Sequence, residues 1–247
     1  MLTLKIVFAL LCYVVLSYQV EMKIWDQAGE YTLTPEDYGY SDNIIIQLWG
    51  AGSGSSYMYG GGNSQTGCQG NIYCGGNSGA YINININTVK QETFYFTLGG
   101  GGLSTICRIG YTLCQYCNGQ PGNYSLFYSE DKNLFLNVSG AYQALNSVQT
   151  KFNASVTVLK YRADDIIINN INGTISNCYN DLNGYNYISG ADAAFGAKGG
   201  NIYSIPKCSG YMGSGSGYQC NGCKTDKKTG QCVTYYKGGD GALILYY

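Results

Sequence analysis

Leu48 to Ser64 reads LWGAGSGSSYMYGGGNS and directly succeeds the apolar run Ile44-Ile45-Ile46-Gln47. A strand that runs into Gly50-Ala51-Gly52 invites comparison with nucleotide-binding loops, so this stretch decides between a cofactor cradle and a scaffold. A dinucleotide fingerprint begun at Gly50 needs glycine at position 55, where Ser55 stands. A Walker loop needs Gly-Lys followed by Ser or Thr, and no lysine occurs between Lys23 and Lys90. Both motifs work because a helix starts at the loop and aims its positive end at phosphate. The residues after Gly54, SSYMYGGGNS, are poor helix formers. The stretch therefore predicts a buried strand that leaves its sheet for a glycine-rich layer, with Trp49 packing at the edge and no cofactor bound.

The rest of the chain has the same character. Of 247 residues only 12% are charged, while 36 are glycine and 26 tyrosine, so strand formers outweigh helix formers. Strands are predicted near Ile44 to Trp49, Ala80 to Val89, Thr93 to Leu98, Ser125 to Tyr128, Leu134 to Val138, Ser155 to Tyr161, Asp165 to Asn169 and Ala242 to Tyr247. A short helical turn is predicted at Ala191 to Phe195. In YINININTV, Ile82, Ile84 and Ile86 alternate with Asn83, Asn85 and Asn87, which puts isoleucine toward a core and asparagine on a polar outer face. Short strands broken by Gly and Asn predict an all-β sandwich or barrel. The tetrapeptide Gly-Asn-Ile-Tyr occurs at Gly70 to Tyr73 and again at Gly200 to Tyr203, too short a repeat to divide the chain. One domain is expected over residues 18–247, with a less regular insertion at about 141–206.

The opening residues, MLTLKIVFALLCYVVLS, carry Lys5 and then an apolar run from Ile6 to Leu16, with Val15 and Ser17 placed for cleavage before Tyr18. Residues 1–17 are expected to be a secretory signal peptide, and the run is short for a membrane span. Leu11 is not the small residue that a lipid-anchor site at Cys12 would want. Export changes the reading of the cysteines. Eleven less Cys12 leaves ten: Cys68, Cys74, Cys107, Cys114, Cys117, Cys178, Cys208, Cys220, Cys223 and Cys232. An even set in an oxidising compartment predicts a disulfide framework. Zinc is the competing reading for Cys114/Cys117 and Cys220/Cys223, but those pairs lie far apart and the chain contains no histidine. No metal site is expected.

Fourteen basic against fifteen acidic residues leave no concentrated positive face for nucleic acid. The absence of histidine excludes Ser-His-Asp and Cys-His catalysis. Glycoside hydrolysis needs two facing carboxylates, and Glu130, Asp131, Asp164, Asp165, Asp181 and Asp192 are the candidates, though Asp favours turns. The expectation is a protein without enzymatic activity. Four sequons, at Asn123, Asn137, Asn153 and Asn172, are candidate glycosylation sites. Tyr179, Asp181, Asn183, Tyr185 and Tyr187 supply the aromatic and polar groups of a candidate sugar-binding site.

Four segments together resemble the glycine-rich domain of phage tail-fibre adhesins, of bacterial and protist surface proteins and of the anaplastic lymphoma kinase ectodomain. They are Trp49-Gly50-Ala51-Gly52, Gly79-Ala80-Tyr81, Gly99 to Gly102, and Gly238-Gly239-Asp240-Gly241, each beside a strand-like run, and with those runs the resemblance covers about half of the mature chain. The resemblance implies a jelly-roll-like β-sandwich with glycine-rich elements packed at one side. The long later glycine tracts of that family, which pack as extended polyglycine helices, are mostly replaced here by Cys-bearing and Asn-Tyr-rich segments. Glycine lacks a Cβ, so it permits both close backbone approach and positive φ. The functional expectation is a secreted, disulfide-bonded structural or adhesive protein of an extracellular matrix, coat or filament. It would self-associate or bind other surface proteins, and its last strand would serve for pairing were it at a sheet edge. A lectin-like carbohydrate-binding module is the alternative, and a carboxylate-dependent glycoside hydrolase the third.

Overall fold

Residues Tyr81–Asn87 set the layering: Ile82, Ile84 and Ile86 are wholly buried while Asn83, Asn85 and Asn87 are half-buried on the other face. The computed structural model describes residues 20–59, 71–104, 115–117, 119–143, 153–160, 162–176, 178–181, 190–200, 209–216, 224–225, 232–233 and 237–247. Its strands are β1 (Met22–Trp25), β2 (Gly29–Leu33), β3 (Asn43–Trp49), β4 (Ser56–Tyr59), β5 (Asn71–Cys74), β6 (Tyr81–Asn87), β7 (Phe94–Leu98) and β8 (Gln115–Cys117). They continue with β9 (Ser125–Ser129), β10 (Phe135–Val138), β11 (Val156–Lys160), β12 (Ile166–Ile171), β13 (Cys178–Asp181), β14 (Lys224–Thr225), β15 (Cys232–Val233) and β16 (Ala242–Tyr246).

Two five-stranded antiparallel sheets, ordered β1-β16-β3-β6-β12 and β11-β10-β9-β7-β2, face each other as an all-β sandwich. The first sheet contributes an aliphatic inner face, with Ile44, Ile46, Leu48, Ile84, Leu243 and Leu245. The second contributes rings: Phe94 stacks on Phe127 at 5.2 Å, and Phe96 lies 5.1 Å from Tyr31. A four-stranded sheet, β13-β5-β4-β8, and the pair β14-β15 complete the regular structure. The last strand is not at an edge. β16 lies between β1 and β3, because the short segment Met22–Trp25, which its brief alternation leaves indistinct in the sequence, occupies the outer position. The helical turn falls at Ala194–Gly196, as a single 3-10 turn. Both β11 and β12 fall within the predicted insertion, and they are edge strands of the two main sheets.

At one end of the sandwich the hydrogen-bonding period changes from two to three. Beyond Trp49, the amide of Gly50 donates to Ala80 O, that of Ala51 to Asn123 O and that of Gly52 to Gly239 O. The series then repeats, with Ser53 to Asn77 O and Gly54 to Gln120 O. Three residues per turn with every bond made to a neighbour is the habit of a polyproline-II-type helix, which has no internal hydrogen bonds. The carbonyls of Ala51, Gly52 and Ser53 accept from Ala141, Gly102 and Ser216, so the segment 50–55 has six partners. Those six segments, 75–80, 213–216, 238–241, 99–104, 119–123 and 139–141, are bonded to one another in that order into a closed ring. Five of the six continue directly into or out of main-sheet strands: β6, β16, β7, β9 and β10.

Close approach, rather than positive φ, makes glycine necessary in this lattice. A Cβ on Gly52 would stand 1.8 Å from Ser214 O, and one on Gly101 1.8 Å from Gly238 O. Among the described glycines only Gly39 and Gly213 have positive φ. Serine hydroxyls close the end of the central segment: Ser55 N–H donates to Ser216 Oγ at 2.7 Å, and Ser104 Oγ lies 2.7 Å from Ser55 Oγ and 3.0 Å from Ser216 Oγ. The central segment thus buries its backbone with each amide from Gly50 to Ser55 paired, which is the condition for burying loop-like sequence at all.

Candidate binding cleft

The outward face of the first sheet carries Gln47 and Trp49 on β3 and Ile244 and Tyr246 on β16, since their neighbours Leu48, Leu243 and Leu245 point into the core. Beside them, Phe195, Ala197, Lys198, Tyr211 and Met212 rise from segments attached to the glycine lattice. Floor and walls enclose a cleft of about 610 Å³, a size suited to a small-molecule ligand and lined, as such sites are, mainly by apolar and aromatic side chains. Trp49 is only 2% exposed, and its indole N–H donates to Ala194 O at 3.1 Å, which ties the wall to the floor. The attachment of the wall to the lattice runs through Ala191 N–H to Gly76 O and Gly200 N–H to Gly215 O, both 2.9 Å.

Tyr81 stands beside Trp49 in the ladder, its ring 4.7 Å from Trp49 and 4.8 Å from Phe195. It is fully buried, and its hydroxyl has no hydrogen-bond partner within the protein. Burial pushes the phenol above its ordinary pKa because the phenolate would lose solvation, and the nearby Tyr246 adds to the effect. Asn83 lies opposite Gln47 in register, and its Oδ1 is likewise buried without a partner. On the walls, Phe195 and Met212 have φ of 57° and 33°, in the left-handed region that such side chains disfavour. At the rim, Lys198 Nζ contacts Asp192 Oδ2 at 2.8 Å. Burial would raise the Asp192 carboxyl, but the Lys198 ammonium and the Gly199 N–H outweigh it and hold the group below the usual range.

Tyr179 and Asp181 are on β13, the edge strand of the four-stranded sheet, while Asn183, Tyr185 and Tyr187 lie outside the described residues. Of the cysteines, Cys74, Cys117, Cys178 and Cys232 fall on strands, with Cys178 opposite Cys74. Cys68, Cys107, Cys114, Cys208, Cys220 and Cys223 lie outside the described residues. Asn123, Asn153 and Asn172 are exposed, and Asn137 is half-buried on β10. Three of the carboxylates are engaged separately. Asp131 accepts from Ser129 and Asn133 in the β9–β10 turn, Asp165 pairs with Arg162, and Asp192 with Lys198.

The cleft itself was legible only in part. Trp49 marks its floor, and the signal that would have located more of it is the pair of apolar and aromatic residues, Ile244 and Tyr246, at the positions of a period-two strand that do not face the core. No family model matches the chain, and no curated protein matches it.

Proposed function

We propose that the chain is a secreted structural or adhesive protein of an extracellular matrix, coat or filament. The observation that carries this reading is the closed ring of six backbone segments around Gly50 to Ser55, continuous with strands of both sheets. Such a block commits much of the sequence to a fixed shape and leaves display to its surface. Among the described residues no helix is long and apolar enough to cross a membrane. Attachment in this reading is through partners or other copies. Cysteine pairing belongs to the same proposal. Its support is Cys74, buried, with Cys178 directly opposite in the ladder. Fractionation of the native source tests the reading: the protein is expected to travel with matrix or surface material, and a strictly monomeric solute without such association contradicts it.

A lectin-like carbohydrate-binding module is the second reading, favoured by one observation. The aromatic cleft on the outward face of the first sheet has the size and lining of a ligand site.

A further inference from the structure

The free edges of the two main sheets differ in what they offer to another chain. The edge strands are β1, β12, β11 and β2, and three of them carry a charge: Lys23 on β1, Lys160 on β11 and Glu30 on β2. Charge on an edge discourages pairing with a second chain. β12, Ile166-Ile167-Ile168-Asn169-Asn170-Ile171, has neither charge nor proline, and it exposes Ile166 at 59%, Ile168 at 48% and Ile167. Among the described residues no backbone bond reaches its side away from β6. Its one blunting feature is the bulge between Ile167 and Asn169, which leaves Ile168 out of the ladder. On the same side of the sandwich lies β11, joined to β12 through residues 161–165 and tied to its far end by Gly173 N–H donating to Ala154 O at 2.8 Å. Leu159 on β11 is also exposed, so apolar surface gathers on this side.

We propose that two copies of this chain pair antiparallel through β12, about a twofold axis normal to the sheet, and so join their first sheets into one. The proposal rests on the self-associating reading, and it gives β12 the pairing expected of the last strand. Opposed residues in a ladder share a face. Ile167 and Asn170, across from Ile84 and Ile82, therefore belong to the inner face, and Ile166 and Ile171, across from Asn85 and Tyr81, to the outer. The register that keeps the faces aligned sets Ile166 opposite the partner's Ile171 and Ile167 opposite the partner's Asn170, with Ile168 beside the axis. A twofold contact brings the same patch of both copies together, so a charge on the strand would be drawn toward its own copy. Of the four edges β12 alone avoids that.

The experiment is sedimentation velocity over a concentration series. It uses the full secreted chain, enzymatically deglycosylated so that sugar at Asn172, the residue after β12, does not crowd the contact. Ile168→Lys sets like charges beside the axis and is expected to weaken self-association about a hundredfold. Its melting temperature should match the parent's, because the side chain is exposed, and Ile166→Lys repeats the test should Ile168→Lys melt early. Ile24→Lys on β1, the opposite edge, is the control and should associate as the parent does. An equimolar mixture of Ile168→Lys and Ile168→Glu chains should associate more tightly than either alone, since the axis brings residue 168 to its own copy. Loss in Ile168→Lys with recovery in the mixture supports the proposal. Loss without recovery, or equal loss in Ile24→Lys, overturns it. An associating parent whose Ile168→Lys variant associates unchanged also overturns the β12 contact and leaves the self-associating reading standing. A parent that stays monomeric throughout removes both.

Discussion

The carbonyl oxygen of Ser214 lies 1.8 Å from the point where a Cβ on Gly52 would stand, with its carbonyl carbon at 2.4 Å. Both are backbone atoms inside a hydrogen-bonded lattice, so neither side can move away cheaply. Gly52→Ala is therefore expected to cost about 3 kcal/mol or more, at or beyond the upper range for overpacking, and to depress secreted yield. Gly100 is the control. A Cβ there would meet only Ala28 Cβ at 3.8 Å and Asn123 Nδ2 at 3.9 Å, and φ is not positive. Gly100→Ala should be neutral or stabilising by up to about 1 kcal/mol, as read by urea denaturation of the two variants side by side.

Within the sandwich, Ile84 is wholly buried and Ile166 is 59% exposed. Ile84→Ala should lower stability by about 2–5 kcal/mol, whereas Ile166→Ala should change it by no more than about 0.5 kcal/mol. Equal effects at the two sites in chemical denaturation would contradict the assignment of inner and outer faces.

Arg162 holds the end of the sandwich opposite the lattice. Its guanidinium bonds Asp165 at 2.9 Å, the Asn87 carbonyl at 3.0 Å and the Glu92 carboxylate, and Asp165 is 1% exposed. Arg162→Met strips a buried carboxylate of its cation and is expected to cost about 3–5 kcal/mol. Adding Asp165→Asn to that variant should recover part of the loss, and a double-mutant cycle measured by urea unfolding reads the coupling.

Asp37 titrates with the fold. Its carboxyl is held below the ordinary range chiefly by the Thr34 N–H, opposed by burial and helped by the Thr34 hydroxyl and the Lys23 ammonium. A depressed folded-state pKa means that the stabilisation is complete above the unfolded value, about 4, and is lost as pH falls through the lower folded value. Asp37→Asn should therefore destabilise most near neutral pH, with the gap to the parent closing below about pH 4. Thermal melts across that range measure it, and a gap that does not narrow would contradict the sign.

How much of this could be read from the residues depends on which atoms carry the information. Alternation of Ile and Asn in Tyr81–Asn87, and of ring and polar residues in Phe94–Leu98, is written in side chains, and both strands are where the pattern puts them. Met22–Trp25 alternates over only four residues and makes no such signal, though it takes the sheet edge. The lattice is written in backbone hydrogen bonds, so the sequence shows its glycines and serines but not its period of three or its six-membered ring. The cleft depends on joins such as Trp49 to Ala194, 145 residues apart, which no local pattern encodes. Asn183, Tyr185 and Tyr187 are candidates because they cluster in sequence, whereas the cleft residues come together only through strand register and long-range joins.

Electron microscopy of the native, purified material tests the central claim most directly. Filaments, sheets or a regular lattice built from the intact chain are the predicted result. Dispersed particles the size of a single mature chain, with no tendency to associate, would contradict it.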